Sequence, residues 1–574
     1  YQARHRPGGR VIYFNYALAA ELGLIPRDHL ARMNRRLEAA ILDTFALQII
    51  NEYDLAHPRR WKGATLKPGK YMATRYLQIQ HKSRVGRTSG DGRAIWNGVI
   101  RTPTMSFDIS SRGTGVTCLC PGAQLVNGPL RTGDHRVGYG SGTADLDEML
   151  GTAVMSEIFY RRGYPTERTL AVIDFGDGTA IGVRTAPNLI RPAHLFRYLK
   201  QGRTDELKAA FDYFLARQEQ NGSWKLPSRE PERYRTALEY IAESYGRMAA
   251  VLEEEYIFTW LAWDGDNVLA SGAIIDYGSV RQFAAKHDKY RYDDVDRWST
   301  CLTEQRYWAR QLVKAFAQAA HLARSGCRKN LAAFDDAACL RTYDKAFNDE
   351  RDRRLLWRLG FTAAQARNLM QTARKEINDF RRALVFFEDL KIAKGVEKLG
   401  DGITHRPVFL IRNLLRELPR YYRDECRGRL GAMMPAETFC RIMAASYSDP
   451  ADLRMTPTRE ARVRNFQSCY QRLIAKAGRH GNVLRTVARR SAVINFEHRM
   501  TGDASIHIVN HVIDSKDRLS RDELQAILDR FIESQVLIPG QWKPIESREL
   551  SRRSDKSRLL RKLLRELDEC KETV

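Results

Sequence analysis

The sequence predicts a mixed α/β (α+β) protein, rich in strands and turns in its first half and mostly helical in its second. Three observations carry this expectation. A hairpin signature lies near residue 175, apolar stripes at helical spacing follow it, and few strand candidates occur beyond about residue 340. At 574 residues the chain has room for two to four folding units of roughly 100–200 residues each.

The hairpin comes first. Thr169 to Arg184 contains two β-rich runs, LAVID and AIGVR, around Phe175-Gly176-Asp177-Gly178, and Asp-Gly and Gly supply the positive φ that a tight turn needs. Asp205 to Gln218 carries Leu207, Phe211, Phe214 and Leu215 at helical spacing, with Thr204 as the expected N-cap. Gln305 to Ser325 repeats the pattern through Trp308, Leu312, Phe316 and Ala320, and Gly326 is the expected stop. Arg558 to Glu569 sets Leu559, Leu560, Leu563, Leu564 and Leu567 on one face. Such a helix lies on a membrane or partner in some proteins, and more commonly packs on its own domain.

Hydrophobic residues make up 43% of the chain, enough for a real core. No uninterrupted apolar run approaches the roughly 20 residues of a membrane span. With 94 Lys and Arg against 69 Asp and Glu, the net charge is +25. That charge favours polyanionic partners in general. It is spread along the chain without zinc-finger spacing or an aromatic RNA-binding signature, so general surface charge is the expectation and a nucleic-acid partner is not. Nine cysteines are too few for a disulfide scaffold and fit a reducing, cytoplasmic compartment. The chain opens at Tyr1 rather than Met, which leaves open a removed targeting segment. Cys118 and Cys120 lack a second pair at zinc spacing, and Cys570 is a candidate redox thiol. The stretch from Cys118 to Ala144, with GYGSG at 138–142, can wrap a phosphate or be a surface loop.

The segment Trp263 to Gly278, WDGDNVLASGAIIDYG, carries the expected chemistry. Val268–Ala270 and Ala273–Ile275 read as short β runs joined by a Ser271-Gly272 turn. Folding that hairpin brings Asn267 and Asp276 to the same end. Together they offer an amide oxygen and a carboxylate, hard ligands of the kind magnesium takes. Asp266 can face a substrate and accept the proton of an attacking hydroxyl. Protein kinases use a catalytic-loop Asn and a DFG Asp by the same logic, and Asp276-Tyr277-Gly278 is similar to a variant DFG.

Further blocks extend the likeness. VIYFNYALAAELGL, GDGRA at 90–94, SEIFYRRGYPTERTLAVI at 156–173, VRTAPNLIR at 183–191, GDNVLASGAIIDYG and RPVFLIRN at 406–413 follow in order. The chain thereby resembles the selenoprotein O family, kinase-like proteins that transfer AMP from ATP to protein hydroxyls. The resemblance implies a protein-kinase-like two-lobed fold. Residues 1–198 would form a strand-rich N-lobe with glycine motifs, 199–400 a helical C-lobe with the DN/DYG metal site, and 401–574 a helical extension. It implies Asp266 as general base, and Asn267 and Asp276 as ligands of Mg2+ or Mn2+. ATP would be bound by Gly90, Gly92, Arg93, Asp134, His135, Arg184, Arg191 and Asp276, and AMP would pass to Ser, Thr or Tyr of protein substrates.

Two departures qualify these implications. Where the family has L-K-G-A-G, this chain has FDISSRGTG, with Arg112 at the position of the nucleotide lysine; Lys82 is the next candidate. The second glycine motif becomes Gly133-Asp134-His135-Arg136. Glu148 is the expected partner of Arg112, with Asp145 and Asp147 as alternatives. The competing reading is a nucleotide-binding regulator without efficient transfer.

Overall fold

The expected hairpin forms the middle of a sheet in the computed structural model, which describes residues 1–68, 71–78, 87–117, 126, 128–262, 265–286, 290–291, 299–394, 397–399 and 402–572. Seven antiparallel strands take part: β1 (Arg10–Phe14), β2 (Tyr71–Gln78), β3 (Arg87–Arg101), β4 (Ser106–Arg112), β5 (Ala144–Asp145), β6 (Arg168–Asp174) and β7 (Thr179–Ala186). Their order is β1-β6-β7-β4-β3-β2, and β5 pairs with β7. The β6–β7 turn is built as its sequence predicts. Asp174 accepts from the Gly176 N–H and Asp177 from the Thr179 N–H, each at 2.9 Å. Gly176 and Gly178 take φ of 77° and 84°, a region that costs a residue without Cβ nothing. All seven residues of β6 are buried, because both faces of the sheet are covered.

Helix α1 (Leu146–Arg161) covers one face. Gly182 of β7 lies directly under Met149, and a Cβ there would collide with that side chain. The missing side chain lets the first turn of α1 come down onto the sheet. Then come α2 (Pro192–Gln201), α3 (Thr204–Gln220), α4 (Glu230–Glu254), α5 (Leu302–Ser325) and α6 (Ala338–Arg358). Helix α3 begins at Thr204 itself with Arg203 at the cap. The Thr204 hydroxyl makes no capping bond, so the expected N-cap is corrected by one residue. Gly326 ends α5 with φ 67°, as expected. Helices α4 and α6 pack along each other, and a Cβ on Gly246 would stand 2.6 Å from the Tyr343 carbonyl oxygen.

The second half is helical, as the patterning predicts. It includes α7 (Arg374–Glu388), α8 (Ile411–Asp424), α9 (Pro457–Ala477), α10 (His480–Ile494), α11 (Gly502–Ser515), α12 (Arg521–Ser534) and α13 (Asp555–Glu569). The end of α6 and helices α7 to α10 enclose their own core around Phe380, Phe387, Leu414, Phe466 and Leu484. The chain then turns back. Helices α11, α12 and α13 join the core that holds Met149, Phe211, Tyr245 and Phe316. Leu559, Leu560, Leu563 and Leu567 are buried there, so the last helix packs on its own protein. Among the described residues no helix is long and apolar enough to cross a membrane. Seven cysteines, Cys570 included, are free thiols; Cys118, Cys120 and Lys82 lie outside the described residues.

Candidate active site

The segment expected to carry the chemistry is a minimal hairpin rather than two strands. A single antiparallel bridge joins Val268 to Ile274, and the Leu269 N–H reaches the Ala273 carbonyl at 2.9 Å. Gly272 turns the chain with φ 78°. The ladder stops at one bridge because its outer edge is used elsewhere. Ile274 donates to Pro165 and accepts from the Glu167 N–H, each at 2.9 Å, so the segment between α1 and β6 pins the hairpin. On the other side the Ala270 N–H reaches the Ile190 carbonyl at 2.8 Å, just before α2. Trp263 and Asp264 lie outside the described residues.

Asp276 closes the hairpin in a left-handed conformation, φ 69°. This strains a residue with a Cβ, and Asp and Asn tolerate it best. Its N–H donates to Glu167 Oε1 at 2.9 Å and its carbonyl accepts from the Ser279 hydroxyl at 3.1 Å. Tyr277 packs edge-on against Phe159 of α1 and meets the Thr166 hydroxyl. These bonds hold the carboxylate toward the sheet.

There it meets Arg112. The guanidinium Nη2 donates to Asp276 Oδ1 at 2.7 Å and to Glu148 Oε1 at 2.6 Å. Arg93 grips both oxygens of Glu148 at 2.7 Å, a two-pronged geometry that suits a planar guanidinium. Strand pairing explains the convergence. Arg112 sits in β4 between Ala94 of β3 and Gly182 of β7, and small neighbours on both sides leave it room. Glu148 comes from the first turn of α1. Of the alternatives, Asp145 holds the N-cap position of α1 without a side-chain capping bond, and Asp147 accepts from the Glu148 N–H at 2.7 Å.

Two further arginines complete the group. Arg184 of β7 is 3.4 Å from Glu167 Oε2. Arg191, at the start of α2, donates to the Asp266 carbonyl at 2.9 Å and to Asp266 Oδ1 at 2.8 Å. Gly265 lies so close to Pro192 that a Cβ would come within 2.5 Å, which is how the loop bearing Asp266 reaches α2. Burial alone would raise the Asp276 carboxyl, but Arg112, Arg93, Arg191 and Arg184 outweigh it and hold the group far below the usual carboxylate range. Glu148 is likewise pushed up by burial and brought below its ordinary value by Arg93 and Arg112.

Asn267 differs from its neighbours. Its Oδ1 is buried and has no hydrogen-bond partner among the described residues. A buried amide oxygen costs free energy unless something pairs with it. The Val268–Ile274 bridge brings Asn267 and Asp276 to the same end of the hairpin, and an amide oxygen and a carboxylate are hard donors of the kind magnesium takes. Gly90, Gly92 and Arg93 lie on β3. Asp134 is turned to local use: it caps the short helix His135–Ser141 and pairs with Arg136 Nε at 2.9 Å.

Sequence reasoning missed Glu167. Pro165-Thr166-Glu167 sets a carboxylate directly before a fully buried strand, and that was the available signal. It also missed that Arg191 and Asp266 meet, because residues 75 positions apart share no periodicity.

Fold and site together define a mixed α/β protein with a buried centre of four arginines and four carboxylates. Comparison with known proteins adds names to that description. The chain is similar to the protein nucleotidyltransferase YdiU of Halalkalibacterium halodurans, 32% identical over 200 residues, 33% of this chain and 36% of that one. It is also similar to the YdiU of Bacillus cereus, 29% identical over 330 residues, 55% and 56% of the two chains. A third is the YdiU of Teredinibacter turnerae, 28% identical over 224 residues, 36% and 40%. The similarity bears out the resemblance to the selenoprotein O family. The matches span about half or less of the length of these curated relatives, and no protein-family model matches the chain.

Proposed function

We propose that the chain is a magnesium- and ATP-dependent protein adenylyltransferase on a protein-kinase-like two-lobed fold, with residues 1–198 and 199–400 as the lobes and 401–574 as a helical extension. The observation that carries this reading is that Asn267, whose amide oxygen is buried with no partner among the described residues, ends the same hairpin as an Asp276 carboxylate kept ionised by four arginines. Glu148 on a helix above the sheet, tied to a basic strand residue, supports the kinase-like architecture, in which a strand lysine pairs with a helix glutamate. The names of the relatives support nucleotidyl transfer.

In this reading Asn267 and Asp276 hold the cation, which supplies charge neutralisation to the phosphates. Arg184 and Arg191 turn from their carboxylates to the triphosphate, and Gly90, Gly92 and Arg93 line the nucleotide. The backbone of β3 comes close to the ligand because the two glycines carry no side chains. Asp266 takes the proton of a Ser, Thr or Tyr hydroxyl. The hydroxyl oxygen bonds to the α-phosphorus, the α–β bridging bond breaks, and pyrophosphate leaves. Incubation with α-labelled and γ-labelled ATP tests this: label on protein from the α position alone is the expected result, and label from the γ position overturns it.

A second reading, a nucleotide-binding regulator without efficient transfer, is favoured by one observation. Arg112 stands where the family has lysine and is bonded to the proposed metal ligand Asp276. Nucleotide binding without label transfer from either position would select it.

A further inference from the structure

The block RPVFLIRN ends at Arg412 and Asn413, and neither contributes to the centre around Asp276. Arg412 opens α8 buried at 5% exposure. It donates to Glu255 Oε2 at 2.8 Å and approaches Asn495 Oδ1 at 3.5 Å. Arg499 lies beside it, 4% exposed. Its nearest carboxylate oxygen is again Glu255 Oε2, at 3.7 Å, and its Nε and Nη1 are buried with no partner among the described residues. A third guanidinium, Arg162, is satisfied only by neutral groups, the Gln535 carbonyl at 2.7 Å and Gln282 Oε1 at 3.0 Å. Glu255 thus pairs with two of these buried arginines and acts on the third, Arg162, only through space.

A buried charge without a counter-charge is costly, and proteins rarely keep one without a use. A cavity of about 40 Å³ opens against these residues, lined by Arg412, Asn413, Asn495, Arg499 and Lys571. That is room for roughly three water-sized groups, the size of the terminal oxygens of a phosphate group. Two carboxylates at its rim are engaged elsewhere. Glu497 pairs with Arg416 at 3.2 Å, and Glu572 accepts from the Ser446 N–H at 2.9 Å. Lys571, half-exposed, stands at the mouth with Asp568 2.9 Å away.

We infer that Arg499 and Arg412, with Lys571 at the entrance, form a second anion site that takes a phosphate group. Arg499 supplies two free donors in a planar fork and Arg412 Nε supplies a third. Asn413 and Asn495 offer neutral edges. The site joins the start of α8, residues 495–499 after α10, and the C-terminal residues, and none of the groups at the Asp276 centre lines it. The inference holds whether or not the chain transfers AMP.

Thermal unfolding of the full chain tests it, with inorganic phosphate and AMP each replacing chloride at constant ionic strength. The expected result is a saturating rise in Tm with at least one of them, weakened roughly tenfold or more in apparent affinity by Lys571→Glu and by Arg499→Met. The same titration in the double variant Arg184→Gln with Glu167→Gln, which leaves no buried carboxylate stranded, removes any share of the Asp276 centre, and the response should persist there. If Arg499→Met does not fold, Lys571→Glu, altered at a half-exposed side chain, decides alone. No response to either anion overturns the inference. So does a response that survives Lys571→Glu, or one that disappears in the double variant.

Discussion

Arg112 and Asp276 are joined by a 2.7 Å hydrogen bond that links β4 to the Asp-Tyr-Gly turn, through the same guanidinium nitrogen that reaches Glu148. One nitrogen makes both contacts, so a lysine ammonium, a point charge with three donors, can reproduce them. Arg112→Lys should therefore keep nucleotide affinity within a few-fold of the parent. Arg112→Met leaves Glu148 to Arg93 but strips Asp276 of its nearest cation, and should lower both Tm and ATP affinity. Fluorescence titration with an ATP analogue, alongside thermal unfolding, checks both variants. A methionine variant that behaves like the parent would place Arg112 outside the site.

Asp276 is proposed as a metal ligand and also holds a left-handed backbone position, so alanine would confuse two effects. Asn accepts the same φ with little strain. Asp276→Asn should keep the fold and lose the magnesium-dependent part of ATP affinity. Measuring ATP-analogue binding with and without magnesium separates the two. An unchanged magnesium response rules out Asp276 as a ligand.

Much of this region is legible in the sequence, and the limits of that reading are physical. The β6–β7 hairpin is legible because Asp-Gly and Gly dictate a turn locally. Helices α5 and α13 are legible because one stripe of Leu and Phe fixes their buried face. Arg112 and Glu148 could be paired through the resemblance, not through any spacing. The Arg191–Asp266 and Arg184–Glu167 contacts were not legible, since periodicity says which face is buried and nothing about which distant charge faces it. The same limit hid the return of α11 to α13 to the first core.

Arg184 satisfies Glu167 in this structure, so deleting it alone strands a buried carboxylate, at a cost of about 3–5 kcal/mol. The double variant Arg184→Gln with Glu167→Gln keeps an oxygen for the Asp276 N–H and removes both charges. It should recover most of the lost stability. It should not recover ATP affinity, which falls roughly 10- to 150-fold on losing one charge-assisted contact, while adenosine binding changes little. Equal losses for ATP and adenosine would assign Arg184 a structural role.

Glu255 gives a pH prediction. Burial raises its carboxyl, and Arg412, Arg499, Arg354 and Arg358 outweigh that, bringing it down to about 2. A depressed carboxyl stabilises the fold above its unfolded value near 4.3 and loses that contribution as pH falls toward about 2, on the order of 3 kcal/mol in all. Glu255→Gln should therefore destabilise the chain strongly at pH 7 and much less at pH 3. Urea midpoints at the two pH values check it, and a gap independent of pH refutes it.

Gly246 tests the packing of α4 on α6. A Cβ there would stand 2.6 Å from a backbone carbonyl and 3.0 Å from the Phe347 nitrogen, neither of which can rotate away. Gly246→Ala gains helix propensity, worth about 1 kcal/mol. Overpacking costs about 1–3 kcal/mol, and the backbone clash puts Gly246→Ala at the upper end of that range. A net loss of stability in urea is expected, and a gain would show that the helices can part.

The return of α11 and α12 to α1 also sets an order in time. Helix α1 carries Glu148 and packs its far side against residues such as Val509, whose methyl lies 3.8 Å from where a Cβ on Gly151 would be. During synthesis at about 5–20 residues per second, roughly 20–70 s separate the emergence of α1 from that of α11. For that interval the apolar back of α1 has no permanent cover. The site around Asp276 is thus assembled from residues made early and braced by residues made much later, so folding of this region finishes only after the ribosome has delivered α11 and α12.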